Sequence, residues 1–214
     1  MKVYILLKLQ STSIFIIMNS NFLLLEDNRR RDIIRRIVRD IVKVYKSEDE
    51  GEFYLPNYID EDLDSYHFPG VDGLEVVLDL TPNTHISTFK IDGNLYNNNN
   101  LIEIIVEYNP NNRDTIIYDL IGELNEIVAH ELRHVDQKTK GTHDLSNPET
   151  SDPFRYYTQP HEIDAQVFGF KRLAKLTKTP FDIVVKRWFN THKDLHQLTT
   201  REMYNVINRI LNKK

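Results

Sequence analysis

From Thr115 to Lys138 the chain repeats apolar residues at spacings of three and four: Ile116, Ile117, Leu120, Ile121, Leu124, Ile127, Val128, Leu132 and Val135. That period predicts a long amphipathic helix, which must bury its stripe against a core. Asp114 or Thr115 can cap its start and Gly141 offers a stop. Near its end stands His130-Glu131-Leu132-Arg133-His134. Residues i and i+4 share one side of a helix, so both imidazoles can reach a single zinc ion. Glu131 is offset enough to leave the ion to the histidines and to address a water beside it.

The rest of the chain gives this helix something to pack on. Leu74 to Leu80, Thr84 to Ile91 and Leu101 to Tyr108 are rich in strand-forming residues, with turns expected at Asp92-Gly93 and at Asn97 to Asn100. Before them, Asp27 to Lys46 reads as a second amphipathic helix, with Ile33, Ile34, Ile37, Val38, Ile41, Val42 and Tyr45 on one side. Lys46 to Gly73 reads as an acidic loop anchored by Phe53, Tyr54, Leu55, Tyr58 and Phe68. Beyond Gly141 no period is sustained until Pro160 opens a helix to about Leu176; Pro180 opens another to about Asn190, and Thr199 or Thr200 a last one to about Leu211. The order predicts an α+β domain, a small twisted sheet packed against the two-histidine helix and followed by C-terminal helices.

A chain of 214 residues with 40% apolar and 28% charged side chains has room for one substantial core. We expect one domain over residues 26–214, with 1–25 as an N-terminal extension or strand. The apolar run from Val3 to Met18 is broken by Lys8, Gln10 and Ser11-Thr12-Ser13. It is too short for a membrane span and lacks a small-x-small cleavage site. Met18 is then the expected start of a cytoplasmic protein. There is no cysteine, so a metal must rest on His, Asp, Glu and water.

Charge is unevenly spread, with a net +6 over residues 1–46, −17 over 47–136 and +6 over 137–214. Arg29, Arg30, Arg31, Arg35, Arg36, Arg39 and Lys43 could make the first helix a nucleic-acid-binding surface. Asp32 and Asp40 interrupt that surface, which favours a solvated face packed beside the acidic middle. His67, His85, His192 and His196 are read as structural or surface residues, and Trp188 and Phe189 as packing for the C-terminal helices.

Two histidines leave a catalytic zinc short of one protein ligand. An extension of the motif downstream would need glycine and histidine where Gln137 and Lys140 stand. Glu162, on the first turn of the helix opened by Pro160, is the preferred third ligand; His161, Asp144 and His143 are the other donors within reach. Ala165 and Gly169 give that helix a small-residue face for close approach. Tyr156, Tyr157 or His161 could donate to a developing oxyanion. Asp164 could orient a ligand imidazole or serve the helix dipole.

His130, Glu131 and His134, with the later Pro160-x-Glu162-x-x-Ala165, resemble the zincin metallopeptidases with a glutamate third ligand. They are similar also to small phage-encoded proteins that pair these motifs. The resemblance covers about residues 74–178. It implies a zinc metallopeptidase with His130, His134 and Glu162 as ligands and Glu131 as general base. It also implies a peptide substrate laid along the strand Leu101 to Tyr108, and, for a phage chain, a place in the host cytoplasm. A nucleic-acid-binding protein and a non-catalytic protein stapled by metal are the competing readings.

Overall fold

The computed structural model describes residues 28–59, 68, 71, 73–96, 100–141 and 151–213. The N-terminal extension, His67, Asn97 to Asn99, His143 and Asp144 lie outside these residues. Helix α1 covers residues 28–47. Four strands follow, β1 (Gly51–Leu55), β2 (Glu75–Pro82), β3 (Phe89–Tyr96) and β4 (Leu101–Tyr108). The helices α2 (Ile117–Thr139), α3 (Pro153–Tyr157), α4 (Pro160–Thr177), α5 (Phe181–Thr191), α6 (Lys193–His196) and α7 (Thr200–Asn212) complete the described chain.

The strands form one mixed sheet in the order β1-β2-β4-β3, with β2 and β4 parallel and both outer pairs antiparallel. Period-two alternation sorts its faces. Val76, Leu78 and Leu80 of β2 and Ile102, Ile104, Val106 and Tyr108 of β4 are buried in one core with Ile33, Ile37 and Ile41 of α1 and Leu120, Leu124 and Val128 of α2. A second core joins Ile163, Val167 and Phe170 of α4 to Val185 and Phe189 of α5 and to Val206 and Ile210 of α7. Helix α4 belongs to both, since its other side lies along α2.

Three expectations are corrected. Gly51–Leu55, read as loop, is a strand paired with β2; being short and at an edge, it buries too little to announce itself. The run expected from Thr84 to Ile91 is strand only from Phe89 and continues through Asp92-Gly93 to Tyr96. Asp-Gly is a strong turn signal, but here glycine answers a packing demand within the strand. A Cβ at Gly93 would lie 2.8 Å from Ile127 Cγ1 and 3.2 Å from Glu131 Cγ, so only glycine lets β3 approach α2 this closely. The third correction concerns β4, which is bonded to β2 on one side and β3 on the other. It has no free edge along which a peptide could pair; among the described residues the outer strand on that side is β3.

Helix ends follow local rules with small shifts. Helix α2 starts at Ile117, with Ile116 as N-cap and no side-chain cap from Asp114 or Thr115. Instead Thr115 Oγ1 donates to the Asn112 carbonyl of a preceding 3₁₀ turn. Gly141, at φ +64°, follows its end in the left-handed region that glycine adopts freely. Pro160 opens α4, and Thr199 with Glu202 forms a capping box at α7. Helix α3, whose N-cap Asp152 accepts from Phe154 and Arg155, was not anticipated; one turn is too short for a periodic signal.

Arg30 and Arg36 of α1 reach other parts of the fold, while Arg35 and Arg39 stay exposed. Arg30 donates to buried Asp136 on α2 at 2.6 Å, Arg39 bonds Asp40, Arg29 lies 3.7 Å from Asp32, and Arg36 sits over the Tyr58 ring.

Candidate metal centre

Helix α4 runs back along α2, with Gly169 over Glu126, Arg172 bonded to Asn125 and Asp164 bonded to Arg133. A Cβ at Gly169 would meet the Glu126 carbonyl oxygen at 2.9 Å, so this glycine sets how closely the two backbones approach. That spacing carries Glu162 to the two histidines of α2.

The donor atoms of His130, His134 and Glu162 all lie within 4.8 Å of one another. His130 Nε2 and His134 Nε2 are 3.0 Å apart, His134 Nε2 is 3.2 Å from Glu162 Oε1, and His130 Nε2 is 3.5 Å from Glu162 Oε2. Donors about 2.05 Å from a tetrahedral zinc stand about 3.3 Å from each other, so these separations, with one Glu162 oxygen facing each imidazole, are of the size that one ion between the three side chains requires. Glu162 Oε2 is also buried with no hydrogen-bond partner, which a cation would supply. The residues fit a metal, and the buried triad is consistent with a zincin-type metal site.

Electrostatics point the same way. Burial alone would push the Glu162 carboxyl up, but the imidazoles of His130 and His134 beside it outweigh burial and hold the group well below the usual carboxylate range. Burial pulls His134 down, yet the Glu162 and Glu131 carboxylates carry it up to about 9. A position flanked by these charges favours a positive ion. Glu131, 4% exposed and with Oε1 3.9 Å from His130 Nε2, has its carboxyl raised chiefly by burial.

The remaining sequence candidates separate by position. His161 Nε2 lies 3.7 Å from Glu162 Oε1, and its ring centre 6.0 Å from that of His134. The Tyr156 hydroxyl lies beside the Glu162 carboxylate and is pushed well above the ordinary phenol range by burial, then by Glu162 and Glu131. It is therefore a proton donor throughout the neutral range. Tyr157 turns toward the second core, edge-on to Phe189 and His196. Asp164 stands in the second turn of α4 and reaches across to α2, accepting from Arg133 Nε at 2.6 Å and Gln137 Nε2 at 2.9 Å. His192 stacks on Trp188 and His196 bonds the Phe189 carbonyl, which are structural roles.

Sequence reading missed Gln137 and Asp136. Gln137 Oε1 lies 2.9 Å from His134 Nδ1, and Asp136 gathers Arg30, Arg133 and Lys140. The available signal was the spacing of three from His134 to Gln137, which sets both on one face. No family model matches the chain, and neither a curated protein nor a solved structure matches it.

Proposed function

We propose that this protein is a zinc metallopeptidase that hydrolyses peptide bonds, with His130, His134 and Glu162 as ligands and Glu131 as general base. The observation that carries the reading is the three-donor cluster with Glu131 buried beside it, next to an outer sheet strand. Zinc held there would polarise a scissile carbonyl and acidify a neighbouring water.

Glu131 takes the proton from the attacking water and returns it to the leaving amine. Its burial suits this exchange, because a raised carboxyl pKa brings the group nearer neutrality. Tyr156, a neutral hydroxyl beside Glu162, is the best placed donor for the developing oxyanion; His161 is the second.

The substrate backbone would lie along β3. The bond from Asn109 N to Thr88 O sets the ladder between β3 and β4, so Phe89, Ile91, Gly93 and Leu95 turn their backbone groups away from β4. Gly93 N bonds its neighbour Asp92 Oδ1 at 2.9 Å, as expected for an N–H on the open side. An extended peptide could add there as a further strand beside Glu131.

The test combines metal analysis with a quenched-fluorescence peptide library. Wild type should hold one zinc per chain and cleave; Glu131→Gln should hold zinc and keep its fold without cleaving. Cleavage by Glu131→Gln at the wild-type rate, or a folded wild type that takes up no micromolar zinc, would overturn the proposal. Salt-sensitive DNA binding indifferent to chelator would favour the basic helix instead.

A further inference from the structure

We infer that Gln137 is a positioning residue for the metal centre, selecting the proton position on His134 and tying that ligand to the helix that carries Glu162. The inference rests on the reading of His134 as a ligand. Gln137 is 3% exposed and on α2, one turn beyond His134. Its Nε2 donates to the His161 carbonyl at 2.9 Å and to Asp164 Oδ2 at 2.9 Å, while its Oε1 faces His134 Nδ1 at 2.9 Å.

Those contacts settle which way the amide points. Turned over, its oxygen would face a carbonyl and a carboxylate, three acceptors with no hydrogen among them. With Nε2 committed to α4, the oxygen left for His134 can only accept. His134 Nδ1 must therefore carry a hydrogen, and Nε2 is the nitrogen whose lone pair can bind a cation beside Glu162. His130 lacks this brace: among the described residues its Nδ1 has no hydrogen-bond partner.

The amide also controls distance. His161 and Asp164 flank Glu162 on α4, so one side chain spans from one ligand to the neighbours of another. Asp164 is held in turn by Arg133 Nε at 2.6 Å and by Lys213 Nζ at 3.4 Å. Arg133 also bonds Asp136, which Arg30 of α1 reaches at 2.6 Å. Gln137 is the point where this charged network, spanning α1, α2 and α4, meets a ligand.

The experiment measures zinc affinity by chelator competition in wild type, Gln137→Leu and Gln137→Glu, with circular dichroism for the fold. It also follows the exchange of the His134 Nδ1 proton by NMR in zinc-loaded wild type. Gln137→Leu should weaken zinc binding about 10- to 100-fold. Gln137→Glu keeps an acceptor for His134 but cannot donate to α4, so its affinity should fall in between. The wild-type His134 proton should exchange more slowly than that of His130. Affinity within twofold of wild type in folded Gln137→Leu, or equal exchange of the two protons, would overturn the assignment. If Gln137→Leu does not fold, the wild-type exchange comparison decides alone. Absence of zinc from wild type would instead sink the metallopeptidase reading, a separate outcome.

Discussion

Gly93 on β3 and Glu131 on α2 approach so closely that a methyl group on the glycine would stand 3.2 Å from the glutamate Cγ. The proposed base is thus held under the outer strand of the sheet by the absence of a side chain. Gly93→Ala should push first on Ile127, whose Cγ1 would be 2.8 Å away, and then on Glu131. Both neighbours are side chains that can give, so a loss of about 1–3 kcal/mol is expected, with zinc content intact and cleavage reduced. Thermal unfolding, elemental analysis and peptide turnover on one preparation check this.

Gly169 has a different neighbour. An added Cβ there meets the Glu126 backbone oxygen at 2.9 Å, and backbone inside a helix cannot step aside. Gly169→Ala should separate α2 from α4, destabilise by about 1–3 kcal/mol and, unlike Gly93→Ala, weaken zinc binding. Chelator competition on the two variants distinguishes them.

Glu126 is buried, and burial raises its carboxyl well above the ordinary value of 4.5, with Glu123 and Glu131 adding to the shift. The folded protein then holds a proton that the unfolded chain releases. Its contribution is present in full below about pH 4.5 and is lost as pH rises toward the elevated folded value. Glu126→Gln removes this dependence. Its melting temperature should match wild type near pH 5 and exceed it near pH 8, by about 2–4 °C for each kcal/mol recovered. An equal gap at both pH values would refute the ionisation argument.

Zinc should stabilise the folded chain, because the three proposed ligands converge only when α4 lies on α2. At about one hundred times its Kd, the expected gain is about 2.7 kcal/mol. His134→Ala and Glu162→Ala should show no such rise when melted with and without zinc.

Elements whose rules are local were legible in the order of residues. The stripe from Ile116 to Val135 specified α2, the spacing of His130 and His134 put two donors on one side of it, and Pro160 and Thr199 marked where later helices begin. These depend on contacts within a few residues, which a helix repeats along its length. Features that depend on distant partners came only from packing. Among the described residues, the pairing of β4 on both sides leaves β3 as the open edge, and the approach of α2 makes strand of Asp92-Gly93 where a turn is expected. Of the four candidate donors, Glu162 joins the histidines because Gly169 lets α4 settle on α2. Gln137 was legible only as a polar residue on the histidine face, because its bonds to His161 and Asp164 cross between helices. Strand order and helix docking are chosen by burial summed over the whole core, and no window of neighbouring residues carries that sum.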